Sequence, residues 1–230
     1  MASDRTLLAR GPWDESKVVV RWFERPYEPD ARASQAADAV LAELRARGSP
    51  SHDGYAAALV GWRVEGDRLV LDMQPARWSL RLLDQGAVGV SASCVVRSAD
   101  GRWLAGRRAP WLASWPGRWA LGAAGAIEVG EHPLETMRRE LAEEWSVQPQ
   151  RLALEALVRL PSGALLLLGQ AWLAEGAEVV PDAEHEGYAW WPRAVEEWPP
   201  EAHQPLRLMA RFVSEPASAS ATGASAGAKP

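Results

Sequence analysis

Glu140, Glu143 and Glu144 stand three and four positions apart in the run Pro133 to Trp145, PLETMRRELAEEW. In a helix that spacing puts all three carboxylates on one face. Like charges so placed cost about 0.2–0.5 kcal/mol per pair. A solvated acidic face would explain crowding of that size without any chemistry. The surroundings weigh the other way. A glycine-flanked loop, opened by Gly125, feeds the helix, and the three carboxylates converge at its inner end. Hard oxygen ligands at such density suit Mg²⁺ or Mn²⁺, and those ions in turn suit phosphate oxygens.

The helix that must carry these groups is well specified, and the pattern predicts it over Pro133 to Ser146. Pro133 fits a first helical position, where its missing N–H would be unpaired anyway. Glu135 falls in the first turn, where the helix dipole favours an anion. Leu134, Met137, Leu141 and Trp145 form one apolar stripe, which should face a core.

A first unit is expected at residues 1–86. Lys17 to Phe23 reads as a strand, Ser34 to Arg47 as a helix with Ser34 at its N-cap, and Gly48-Ser49-Pro50 as its stop. Tyr55 to Val64 and Arg68 to Met73 read as a hairpin. From Val88 the alternation becomes denser, with strands expected at Gly89–Ser98, Arg102–Arg108 and Trp119–Gly122. Beyond the acidic helix come Arg151–Leu160 and Ala164–Leu173, joined at Pro161-Ser162-Gly163, then a strand at Gly187–Trp191. Helical segments are expected near Arg193–Trp198 and Pro205–Val213. Residues 214–230 are Ala, Ser, Gly and Pro with little apolar bulk, a composition expected to stay disordered.

Bulk properties narrow the partners. The chain of 230 residues has a net charge of −5, so nothing draws it to nucleic acid or an anionic membrane. The single cysteine, Cys94, lies in an apolar run and reads as a buried small hydrophobe. Met1 to Arg10 lacks the apolar core of a signal peptide, and no run is long enough to span a bilayer, so a cytoplasmic location is expected. Tryptophan is abundant, with 13 residues, most of them expected in packing.

The segment Gly125 to Val147, GAIEVGEHPLETMRRELAEEWSV, resembles the Nudix box, G-x5-E-x7-R-E-U-x-E-E-x-G-U, with Ser146 in place of the last glycine. The resemblance implies an α/β fold, a Nudix α/β/α sandwich with a mixed sheet over residues 87–213, preceded by a small α+β N-terminal unit. It implies that Glu140, Glu143 and Glu144 hold the metal, and that the carbonyl of Ala124 touches it. Arg139 would orient Glu140, and Glu131 would brace the entry to the helix by pairing with Arg139. The general base would be Glu140 or an acid in a later loop, where Glu184 and Glu186 are the candidates. Ser146 is a departure, since a left-handed backbone there costs a non-glycine residue about 1 kcal/mol. Gly122-Ala123-Ala124-Gly125, where many members have Pro-Gly-Gly, is another.

Such an enzyme cuts the diphosphate linkage of a nucleoside diphosphate derivative and releases a nucleoside monophosphate. A loose likeness of the N-terminal layout to Nudix enzymes acting on UDP-sugars puts a nucleoside diphosphate sugar first, then ADP-ribose or a dinucleotide polyphosphate. Arg107 and Arg108 are candidates for clamping a phosphate, and Trp111 and Trp119 for stacking on a base, with strand-end pairing and packing as the competing explanations. The alternative from another class is a ligand sensor or interaction protein that keeps the fold without turnover. The N-terminal unit offers a surface for pairing two copies as a homodimer or for covering the substrate.

Overall fold

The computed structural model describes residues 6–48, 53–83, 89–112, 114–160 and 163–215. The boundary expected at 86/87, the residues Ser49-Pro50 and Pro161-Ser162, and the tail from 216 lie outside them. Strand β1 (Thr6–Trp13) precedes β2 (Val18–Trp22), helix α1 (Ala31–Ala46), and the hairpin of β3 (Tyr55–Glu65) and β4 (Arg68–Arg77). Then come β5 (Val90–Arg97), β6 (Trp103–Arg108), β7 (Trp119–Leu121), β8 (Ala123–Ala126) and helix α2 (Pro133–Trp145). The chain continues through β9 (Arg151–Arg159), β10 (Leu165–Trp172), β11 (His185–Trp191) and helix α3 (Gln204–Ser214).

The main sheet runs β1-β9-β10-β5-β6-β11, with β7 paired to β6 and β8 to β5. The β10–β5 pair is parallel and the others antiparallel, so the sheet is mixed as expected. Side-chain alternation along each strand then sorts the core into two layers. Cys94, Val96, Leu104 and Leu167 pack with Leu134, Met137, Leu141 and Trp145 of α2. Their neighbours Val95, Trp103, Ala105 and Leu168 pack with Leu206, Ala210 and Val213 of α3 on the opposite face. This is the helix–sheet–helix sandwich that the box implies.

A second sheet, β2-β4-β3, leans on the first: Ala57, Leu59, Leu69, Leu71 and Met73 belong to the same buried cluster as α2. Ala57 also donates its N–H to the carbonyl of Ile127 at 2.8 Å. Among the described residues, no helix is long and apolar enough to cross a membrane.

Several elements differ from the sequence reading. Helix α1 starts at Ala31, because the Asp30 carboxylate caps the Ala33 N–H at 2.7 Å and three residues ahead of Ser34 join the helix. Strand β1 was not anticipated, since its TLLARGPW has neither alternation nor β-branched bulk. Only a 3₁₀ turn, Val195–Glu197, forms where a helical segment was expected, because Pro199 holds Trp198 in an extended conformation. Ser214 closes α3 instead of opening the tail.

Candidate active site

Strands β7 and β8 form one path broken at Gly122. There the chain leaves β6 and joins β5, with Gly122 at φ +59°. A Cβ on Gly122 would fall 1.9 Å from the Cys94 carbonyl oxygen, so no other residue fits. The crossing lays β8 beneath α2. A Cβ on Gly125 would fall 1.8 Å from Oε1 of Glu140, so the bare glycine lets that carboxylate lie across the strand.

Helix α2 begins with a capping box that the sequence reading missed, because histidine is not a usual N-cap. Leu134 N–H donates to Nδ1 of His132 at 3.3 Å, and the His132 N–H donates to Glu135 at 3.0 Å. At the other end Ser146 takes the left-handed conformation, φ 56° and ψ 33°, so the chain keeps the family's turn without its glycine.

Arg139 gathers the acidic groups. Its guanidinium donates to Glu131 at 3.0 Å, Glu140 at 2.7 Å, Glu143 at 3.1 Å and the Ala126 carbonyl at 3.1 Å. These contacts tie helix, entry loop and β8 together and hold the guanidinium charged well above its ordinary range. Burial works against the charge on Glu131, but hydrogen bonds from Arg139, Thr136 and the Glu128 amide outweigh it and keep the carboxyl below its usual value. Glu143 is turned outward and is 58% exposed.

Glu140 and Glu144 are in the opposite state. Burial pushes the Glu144 carboxyl up to about 9, the Ala124 N–H opposes the shift from 3.1 Å, and Glu140 and Glu184 add to it. Burial also raises Glu140, with Arg139 pulling back and Glu143 and Glu184 pushing further. Glu184 is raised by its own burial, against Arg108 at 3.7 Å. The structure thus brings Glu184 and Arg108 to the box. Glu186 and Arg107 instead face each other at 3.5 Å. Arg107 and Trp119 line a separate cleft of about 830 Å³, with Arg118, Trp191 and Glu201. Trp111 is 57% exposed.

One neighbour was invisible in the sequence. His185 has a fully buried side chain whose Nε2 lies 3.7 Å from Oε2 of Glu144, and neither atom has a hydrogen-bond partner among the described residues. Its Nδ1 meets Asp182 at 3.3 Å and its ring packs on Trp145 with centroids 4.2 Å apart. Burial lowers the imidazole's pKa, which keeps the ring neutral. Only the fold, by pairing β11 with β6, brings His185 to α2.

The donor set can be weighed against a divalent ion. Glu144 Oε2 is a buried carboxylate oxygen without a partner, next to two more acids that resist ionising. Leaving such an oxygen unsatisfied costs about 1–3 kcal/mol, and a cation would recover it. As the side chains lie, no three such groups among the described residues enclose one point. Glu140, Glu144 and Glu184 therefore fit a hard cation by chemistry and charge, and Glu143 would have to swing from Arg139 to join them.

A family model described as NUDIX domain matches residues 88–211, more than half of the chain. The chain belongs to this family. It is accordingly a Nudix hydrolase, of a class that uses divalent metal ions and opens diphosphate linkages in nucleotide derivatives. Solved structures are similar at a distance. The MutT protein of Methanosarcina mazei Go1 is 21% identical over 55% of this chain and 92% of its own, with a TM-score of 0.43. An Ap4A hydrolase of C. elegans is 16% identical over 54% and 95%, with a TM-score of 0.43. The NUDIX domain of Shewanella oneidensis NrtR, solved with ADP ribose, is 24% identical over 53% and 85%, with a TM-score of 0.42. No curated protein matches the chain.

Proposed function

We propose that the chain hydrolyses the diphosphate linkage of a nucleoside diphosphate sugar and releases a nucleoside monophosphate, with ADP-ribose and dinucleotide polyphosphates as the next substrate classes. The observation that carries the metal-dependent part of this reading is the group of Glu140, Glu144 and the partly exposed Glu184, whose carboxyls all resist ionising, together with the buried, unpartnered Oε2 of Glu144. Mg²⁺ or Mn²⁺ would be held by Glu140 and Glu144, with Glu143 and the Ala124 carbonyl as further ligands. When bound, such an ion would supply positive charge to the diphosphate and would lower the pKa of a water molecule.

The protein's own groups do the rest. Arg139 fixes Glu140 against β8, so the carboxylate is aimed before substrate arrives. Glu184 accepts the proton of the attacking water, because it reaches the site from a loop and burial raises its pKa, which makes it a stronger proton acceptor than an ordinary carboxylate. Arg108, beside Glu184, offsets the negative charge that builds on the phosphates. Arg107 and Trp119 line the separate cleft on the α3 side of the sheet, with Trp191, and are not assigned to the substrate.

The test is a substrate panel of UDP-glucose, ADP-ribose, a dinucleoside polyphosphate, NADH and a damaged triphosphate, each with and without a chelator. Nucleoside monophosphate should appear only with metal present, and fastest from the sugar nucleotide. Metal-dependent binding of one compound with no turnover of any would overturn the reading in favour of a sensor.

A further inference from the structure

A cavity of about 320 Å³ opens beside Glu140, and its walls come from both parts of the chain. Ala126, Glu128, Arg139 and Glu140 line it from the box, and Tyr55 and Trp78 line it from the segment around β3 and β4. Nothing in the box pattern calls for those two aromatic residues.

The aromatic wall is held firmly. Asp53 accepts from Arg77 at 2.8 and 2.6 Å and from the Ser79 N–H at 2.9 Å, while the Trp78 N–H donates to the Gly54 carbonyl at 2.8 Å. Arg77 also reaches Asp38 on α1. From the same turn Arg81 donates to Ser91 at 2.6 Å, with its guanidinium carbon 5.8 Å from the Trp78 ring centroid. A preorganised wall loses little entropy when something settles on it. Tyr55, by contrast, is 61% exposed, so its ring adds little to the core and is available to a ligand.

The lining selects an occupant. A carboxylate accepts hydrogen bonds and donates none, so Glu128 favours a hydroxyl-bearing group, while the Arg139 guanidinium on the same wall is already engaged with Glu131, Glu140, Glu143 and the Ala126 carbonyl. Aromatic rings take the C–H face of a sugar ring as apolar area. The volume is at the small end of the range for ligand pockets, about 300–1,000 Å³, and suits one ring.

We propose that this cavity is the sugar subsite, taking the hexose of a nucleoside diphosphate sugar between Tyr55, Trp78 and Glu128. The inference rests on the hydrolase reading given above. The diphosphate then crosses Glu140 and Glu144, and the N-terminal sheet sets specificity from one side.

The experiment compares a nucleoside diphosphate hexose with the corresponding nucleoside triphosphate and with a dinucleoside polyphosphate, in the full chain and in Tyr55→Ala and Trp78→Ala. Each variant should lower kcat/KM for the hexose compound about tenfold relative to the triphosphate. Titration calorimetry with Mg²⁺ present should show the same selective loss of affinity, whether or not the ligand turns over. Equal loss for both ligands, or no loss for the hexose compound, overturns the subsite. Loss only for a dinucleoside polyphosphate also overturns it, in favour of a base subsite. Selective binding of the hexose compound without any turnover supports the subsite and removes the hydrolase reading instead.

Discussion

On the α2 face of the main sheet, Glu140 and Glu144 are buried without full hydrogen-bonding compensation, and Ser146 holds a left-handed backbone. On the α3 face, Trp103, Trp191 and Trp198 pack ring against ring, with centroids 5.0–5.6 Å apart, and the indoles of Trp103 and Trp198 donate to backbone carbonyls. The same strands supply both, since Leu104 faces α2 and Trp103 faces α3. One face keeps polar groups in an unfavourable state that a cation would relieve. The other puts its apolar area into packing. Stability and chemistry are divided by the plane of the sheet.

Substitutions on the two faces should therefore behave differently. Glu144→Gln should lower turnover by about 10³-fold, the upper scale for losing a preorganised electrostatic group. The same change should stabilise the metal-free protein at alkaline pH. The folded pKa of Glu144, about 9, is above the unfolded value near 4.5, so the native state holds an extra proton between them. Stability is full below the unfolded value and falls as pH rises toward 9. Removing that titration should raise Tm at alkaline pH, by about 2 kcal/mol in stability. Melting curves at pH 5 and pH 8.5 in chelator check this, and a wild type whose Tm climbs with pH would contradict it.

Trp198→Ala, on the other face, should cost about 3 kcal/mol of stability. The kcat of the folded fraction should stay unchanged, and a large fall in kcat would erase the division between the faces. Glu184→Gln should lower kcat about 10²-fold, whereas Glu186→Gln, whose partner is Arg107, should change it far less. Equal effects would show that Glu184's place beside Glu144 does not distinguish it from Glu186. Smallest of all, Ser146→Gly should add about 1 kcal/mol by relieving the left-handed backbone, read as a shift of the denaturation midpoint at unchanged activity.

What the sequence disclosed follows the range of the interactions involved. Helix α2 is written in local terms, with Pro133 at its start, an apolar stripe at helical spacing, and acids three and four apart. The family's fixed spacing added Glu131 and Arg139, whose contact spans less than three turns. Strand β8 is AAGA, with too little side chain to signal a strand, and it exists because β5 offers it a ladder. His185, Arg81 and Trp78 reach the site only through tertiary packing. Their spacing from the box, dozens of residues in each case, carries no periodicity to read.

The pairing of β1 with β9 bears on how the chain can be divided. Five residues from Thr6 to Trp13 sit opposite partners between Leu154 and Arg159, covering what would otherwise be a free row of amides and carbonyls on an outer strand. A fragment beginning at residue 87 would keep every residue of the box yet present that row to solvent, where a second copy can add to it. Such a fragment should self-associate through β9, and restoring residues 6–13 as a separate peptide should suppress that association.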